Sequence, residues 1–198
     1  MFNSDNSGPQ ITHIVRCSLW IAFFVLLLPS ALDCSSFSRS DPHANQTGET
    51  QVKSPLPPPT GFVADYANVI DSASRQRLES TLTELKNKSA IEFAVLTVES
   101  TGGQPIFDYS LAVARGWGIG PKDSTHGGGL LFMLAVKDRQ WRIQVSRDLE
   151  KDLPDEFCKA LGQQLEDLCK QGKYAEGITK YVEGIIKRLQ ETRGFSLS

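Results

Sequence analysis

The densest set of chemically capable side chains lies between Arg115 and Arg139, in RGWGIGPKDSTHGGGLLFMLAVKDR. Lys122, Asp123 and His126 stand there among glycines at 116, 118, 120 and 127–129, just before a continuous apolar run. Consecutive backbone N–H groups of a glycine-rich turn can cradle an anion, and a lysine adds charge. On that logic Lys122, Gly127 and Gly128 are candidate anion contacts. His126 belongs to a chain with only three histidines; His13 and His43 fall outside the folded part. At a loop tip it has the chemistry of an acid–base group or a ligand, and equally that of an exposed surface residue. No Walker pattern is present. Gly116, Gly118 and Gly120 follow a helix rather than a strand, which excludes a dinucleotide fingerprint. Tight turns packed around Trp117 account for the same glycines without any ligand.

Carboxylates form the second constellation. Asp65, Asp123, Glu150 and Asp155, with Asp148 nearby, all fall at element ends. Hard divalent cations such as Ca2+ want several oxygens supplied by loops. Taken singly, each acid is as well explained by capping or solvation, and Asp155 just ahead of a helix body suits that helix's dipole. Arg139, Arg142 and Arg147 have the fork geometry for phosphate, or for salt bridges on a hairpin. Cys158 and Cys169 are 11 residues apart on one expected helix, so about 16 Å separates them and they cannot bridge each other. With four cysteines in all, no disulfide framework or metal-type spacing follows. There is no Cys-x5-Arg loop and no paired histidine of a hydrolase.

The elements that must position these groups are readable. Phe62–Asp71 is a short extended lead-in closing at a helix cap, Asp71 or Ser72. A helix over 73–88 turns Leu78, Leu82 and Leu85 inward. Residues 91–98 (IEFAVLTV) make a buried strand. A helix over 105–116 begins at Pro105, with Phe107, Leu111 and Ala114 on one face. Residues 129–136 (GLLFMLAV) make a strand apolar on both faces, and 141–146 (WRIQVS) alternates, so the two pair as a hairpin. Helices over 154–170 and 174–191 follow, the last with Tyr174, Ile178, Tyr181, Ile185 and Leu189 on one face. Trp117, Trp141, Tyr66 and Tyr181 read as core. The order α-β-α-β-β-α-α, with so apolar a central strand, predicts a three-layer α/β/α sandwich around a small sheet.

Ahead of this domain, 61–193, two further segments are expected. Residues 17–32 are uncharged and follow Arg16; as a helix they span about 24 Å, short of the roughly 30 Å hydrocarbon core. Residues 1–34 therefore read as a signal peptide or a membrane anchor, either of which puts the domain on the far side of a membrane. Residues 35–60, ending in PLPPP, read as a disordered Pro/Ser-rich linker. The chain as a whole has ordinary globular composition, 40% hydrophobic and 22% charged, and a net charge of -2 demands neither nucleic acid nor an anionic surface.

Five loose motifs occur in order. They are Val63-x-Asp65-Tyr66-Ala67-x-Val69-Ile70; Trp117-Gly118-Ile119-Gly120-x-Lys122; Gly129-Leu130-Leu131 through Ala135, Asp138-Arg139, Arg142-Ile143 and Val145; Leu149-Glu150 with Leu153-x-Asp155; and Gly172-x-Tyr174-x-x-Gly177-Ile178. Together, over about 61–190, they resemble the TPM-domain family. That resemblance implies an α/β/α sandwich, exported or held by one N-terminal transmembrane helix. The family includes a thylakoid-lumen protein described as an acid phosphatase, photosystem II repair factors and a receptor auxiliary subunit, and some members bind calcium or a similar ion. It implies Asp65, Asp123, Glu150 and Asp155 as metal ligands of a metal-assisted phosphomonoesterase acting on a phosphate ester, in which Asp123 and His126 of the loop are the candidate catalytic residues, His126 on the loop's own chemistry. The alternative it implies is a non-catalytic module that binds a membrane protein complex and assists its assembly or repair. Two loops differ from the family pattern. Asp123-Ser-Thr-His126-Gly-Gly-Gly129 stands where Asp-Asn-Gly is common, and Ser146–Glu150 where Gly-Tyr-Gly-Leu-Glu is common.

Overall fold

The computed structural model describes residues 53–120 and 127–197. Its elements are β1 (Val63–Asp65), α1 (Ser72–Ser89), β2 (Ile91–Val98), α2 (Ile106–Trp117), β3 (Gly128–Ala135), β4 (Gln140–Val145), a 3-10 turn (Arg147–Leu149), α3 (Asp155–Lys170) and α4 (Tyr174–Arg193). The four strands form one sheet in the order β1-β2-β3-β4. β1, β2 and β3 run parallel, and β4 returns antiparallel to β3. This is a mixed α/β sandwich with a four-stranded central sheet and four helices among the described residues.

Strand alternation divides the core in two. Ile91, Phe93, Val95, Leu130, Phe132 and Leu134 face α1, α3 and α4. Ala94, Leu96, Val98, Leu131, Met133 and Ala135 face α2. Burial on both sides explains why β2 and β3 read as unbroken apolar runs. α1 begins at Asp71, whose Oδ1 accepts the Ser74 N–H at 2.9 Å. It ends at Ala90 in the left-handed region, φ 56°. Its stripe, Leu78, Leu82 and Leu85, is buried as its spacing predicts. Tyr181 of α4 packs tilted against Phe132 and edge-on to Trp141 at centroid distances of 5.0 and 5.3 Å. Gly162 of α3 admits the Trp141 ring, which a Cβ there would meet at 2.0 Å.

The chain steps the same way across the sheet from β1 to β2 to β3, yet α1 covers one face and α2 the other. The two crossovers therefore have opposite hands, and one departs from the right-handed rule for parallel strands. The gain is a cover for each face from consecutive helices.

Two packing expectations need correction. α2 turns Ser110 and Val113 inward, while Phe107 is 44% exposed and lies under the Arg142 guanidinium, 4.8 Å from ring centroid to Cζ. Tyr66 is 40% exposed rather than core, because the chain turns outward directly after β1. Of the segment expected as linker, Leu56 packs on the α2-side core and Ser54 lies against Gly116. The apolar segment at 17–32 lies outside the described residues, among which no helix is long and apolar enough to cross a membrane.

Candidate functional site

The parallel strands have two ends, and the carboxylates singled out above divide between them. Asp65 closes β1 at the C-terminal end, paired in register with Thr97. Its Oδ1 accepts the Val69 N–H at 3.1 Å and the Thr97 hydroxyl; its Oδ2 accepts the Ile70 N–H at 2.9 Å. Thr97 is fully buried and its Oγ1 also accepts the Ala67 N–H at 3.3 Å. One carboxylate thus folds the Tyr66–Ile70 turn back over the strand end. Asp138 does the same for the neighbouring turn. It accepts from the Thr101 N–H and the Ser100 hydroxyl, both at 2.7 Å, and the Thr101 bond foremost holds its pKa below the usual carboxylate value.

The glycine loop and the Ser146–Asp155 turn lie at the opposite end. Each glycine at the start of β3 answers a close approach. Gly127 has φ 106°, and a Cβ on it would meet the Ala90 carbonyl oxygen at 2.3 Å. A Cβ on Gly128 would enter the Leu149 side chain, and one on Gly129 would meet the Ile119 oxygen at 2.6 Å. Two N–H groups of this region already have acceptors, Gly120 on Glu92 Oε2 at 3.2 Å and Gly129 on Ser146 Oγ at 3.0 Å. Arg193, the last residue of α4, ties the end together. Its Nε donates to Asp152 Oδ2 at 2.7 Å, Nη1 to the Gly127 oxygen at 3.3 Å and Nη2 to the Asp148 oxygen. Arg188 adds a bond to the Asp152 oxygen at 3.2 Å.

Beside the loop, between the second half of α2 and the end of β4, is an open cleft of about 190 Å³. Leu111, Ala114, Ile119 and Val145 make its apolar walls, and Arg115, Gln144 and Ser146 its polar ones. Gln144 is oriented by bonds from its Nε2 to Ser110 Oγ at 2.8 Å and the Phe107 oxygen at 3.1 Å. Lys122, Asp123 and His126 lie outside the described residues, within a stretch that leaves at Gly120 and returns at Gly127.

Along β3, five residues separate Gly129, at the level of Ser146, from Leu134, at the level of Asp65. That is about 17 Å at 3.3 Å per residue. Ca2+ holds its oxygens at about 2.3–2.6 Å, so two ligand atoms on one ion stand no more than about 5 Å apart. Asp65 therefore cannot share an ion with Glu150 and Asp155. Those two acids stay near the 3-10 turn, both exposed. Among the described residues no three His, Cys, Asp or Glu side chains gather as a metal site requires. Asp65 does not fit one calcium ion with Glu150 and Asp155; Asp123, the fourth acid of the set, lies outside the described residues.

Cys158 is buried, and desolvation raises its thiol pKa to about 11, with Asp155 adding to the rise; Cys169 is pushed to about 11 by burial and Glu166. Both are neutral thiols at ordinary pH, without the lowered pKa of a nucleophile. The Trp117 Nε1 and Tyr181 hydroxyl are buried without a hydrogen-bond partner among the described residues. Thr97, Asp138 and Arg193 were not anticipated from sequence. Thr97 left a trace there, as the one polar position among the six residues of IEFAVLTV after Glu92, and Asp138 stands in one of the five motifs.

A small α/β sandwich, with its loops pinned at both ends of a mostly parallel sheet, defines the class. The TPM domain matches residues 63–188, and the chain belongs to that family. The N-terminal domain of a protein from P. gingivalis is similar in structure, at TM-score 0.61 and 29% identity over 70% of this chain and 88% of that one. The BA42 protein of the psychrophilic bacterium Bizionia argentinensis shares the fold at TM-score 0.52 and 17% identity, over 62% of this chain and 82% of that one. The N-terminal domain of a Corynebacterium glutamicum protein does so at the same score and identity, over 73% and 90%. No curated protein matches the chain.

Proposed function

We propose that this TPM domain works as a non-catalytic module, exported or anchored at a membrane, that binds a membrane protein complex and assists its assembly or repair. The observation that supports this is the fate of Asp65. Two of the donors around it belong to its own turn and the third, Thr97, to the neighbouring strand β2, so this carboxylate of the implied metal set is a structural part of the fold. A stalk of polar and proline-rich residues before the domain suits a tethered binder. The test is co-purification from membranes of the full chain and of a version lacking 61–198. A membrane protein retained by the first and lost with the second supports the reading, and none retained by either sinks it.

A second reading, a phosphatase-like enzyme for a phosphate ester, draws on the cleft at Arg115, Gln144 and Ser146. That cleft is lined by Gly118, Ile119 and Gly129, described residues on either side in sequence of Lys122, Asp123 and His126, and Gly127 and Gly128 lead into β3. A chromogenic phosphate ester, with and without millimolar Ca2+, tests it. Turnover abolished by Asp123→Ala and unaffected by Asp65→Asn supports it; turnover no higher than that of Asp123→Ala removes it.

A further inference from the structure

We infer that the outer edge of β4 is a docking edge for an acidic, extended segment of the partner protein, which would join the sheet as a fifth strand. This rests on the partner-binding reading and names the surface and the chemistry of what it binds.

Hydrogen-bond alternation fixes which groups point outward. Ser146 donates its N–H to the Gly129 oxygen at 2.9 Å, one rung beyond the Leu130–Val145 pair. In an antiparallel ladder, bonded and non-bonded pairs alternate. Gln144–Leu131 and Arg142–Met133 are therefore the bonded rungs. The N–H and C=O groups of Trp141, Ile143 and Val145 point away from β3, and no described residue supplies them a partner. The opposite edge is treated differently. Phe62 and Val63 donate their N–H groups to Glu79 at 2.9 Å each, and Arg75 Nη2 donates to the Val63 oxygen at 3.1 Å. α1 closes the β1 edge with side chains; β4, twice as long as β1 at six residues against three, is left open by the described residues. Exposed edges of this kind recruit strands.

Charge selects the occupant. Arg139, Arg142 and Arg147 lie along the edge at its turn, middle and end, and Arg115 borders the cleft next to it. None of the four forms a salt bridge with a described residue. β4 itself carries no acid. Nearby, Asp138 receives Ser100 and Thr101, Glu166 receives Trp141 Nε1 at 3.0 Å, and Asp148 is exposed beside Arg147. A second copy of this chain fits poorly. A twofold pairing centred on Ile143 sets Arg139 against Arg147 twice, and a slip of one rung toward the turn sets Arg142 against its own copy. Like charges directly opposite destabilise a strand pair. An acidic strand meets the same arginines favourably.

The test uses the full chain in detergent micelles and a capped synthetic heptapeptide alternating valine and glutamate, with a valine–lysine peptide as control. The acidic peptide should slow amide hydrogen exchange at Trp141, Ile143 and Val145, and the basic one should not. Arg142→Glu with Arg147→Glu, both on the surface, should weaken binding tenfold or more. Ile143→Pro, which deletes an outward N–H at a position where an edge strand tolerates proline, should abolish it. Equal binding of both peptides, protection confined to other strands, no binding by wild type, or a dimer that Ile143→Pro converts to monomer would each overturn the proposal. A membrane partner that co-purifies equally with wild type and with both variants would leave the partner-binding reading standing and overturn the edge.

Discussion

Replacing Asp65 by alanine separates a structural role from a ligand role, because the two predict different quantities. In the folded chain its two oxygens receive the Val69 and Ile70 N–H groups and the Thr97 hydroxyl. Bonds to a charged acceptor contribute about 1.5–3 kcal/mol each, and buried donors left without an acceptor cost about 1–3. The three share one acceptor group and are not additive, so the expected loss is about 3–4 kcal/mol rather than the sum. For a chain of this length each kcal/mol moves Tm by roughly 2–4 °C, which predicts a fall of about 10 °C in thermal unfolding. Asp65→Asn, which keeps one acceptor oxygen but turns an NH2 toward the same donors, should lose about half as much. Both melts should be repeated across a calcium titration. A ligand bound only by the native state raises Tm by mass action. If Asp65 serves the turn, any calcium increment seen in wild type, including none, persists in the alanine variant. A variant that melts within about 2 °C of wild type, or that keeps its baseline Tm and loses a calcium increment, would refute the reasoning and return Asp65 to the metal.

The glycine loop gives a graded pair. Gly129→Ala forces a Cβ against the Ile119 oxygen and Gly120 Cα, both backbone, and should cost about 3 kcal/mol in urea unfolding, at the upper end of overpacking penalties. Gly128→Ala meets only the Leu149 side chain and should cost about 1–2 kcal/mol. Arg193→Ala removes three bonds at the sheet end; with the guanidinium partly solvated, a loss of about 2 kcal/mol is expected, and hydrogen exchange at Gly127–Gly129 should quicken. The Cys158 thiol titrates higher folded, at about 11, than its ordinary value near 9. Its contribution is full below about 9 and is lost as pH rises toward 11, on the order of 2–3 kcal/mol at about 1.4 per pH unit. A Cys158→Ala variant should show a shallower stability decline over that window.

Much of the fold was legible because burial imposes period. Leu78, Leu82 and Leu85, the apolar runs of β2 and β3, and the alternation from Trp141 to Val145 each report a face, and the structure places those faces as spaced. What period cannot report is which side of a sheet a crossover helix takes. The opposed hands of the two crossovers, and with them the stacking of Arg142 on Phe107 of α2, had no trace in the sequence. The candidate site was less legible for a related reason. Asp65, Glu150 and Asp155 all stand at element ends, but sequence does not say which end of the sheet. Antiparallel β4 carries Glu150 and Asp155 back to the end opposite Asp65, and a set that looked convergent along the chain is divided in space. The glycines were read equally as cradle or as packing, and the three that begin β3 have packing partners at close range.

Those placements constrain where recognition can occur. The C-terminal sheet end is closed by Asp65 and Asp138 over their own turns. The opposite end is drawn tight by three glycines, Ser146 and Arg193. The β1 edge is capped by Glu79 and Arg75. Six outward backbone groups of β4 have no such cover among the described residues, and the strand holds no proline to block pairing. Instead the strand is flanked by arginines that repel its own copy and attract acids. A fold that caps one edge with an acid–base pair from its first helix and leaves the other open and basic is arranged to admit one class of strand and refuse another. Charge reversal at Arg142 and Arg147 should then exchange the class admitted, the valine–lysine peptide binding where the valine–glutamate peptide did. A double variant that loses the acidic peptide without gaining the basic one would show that the arginines hold the edge's structure rather than choose its partner.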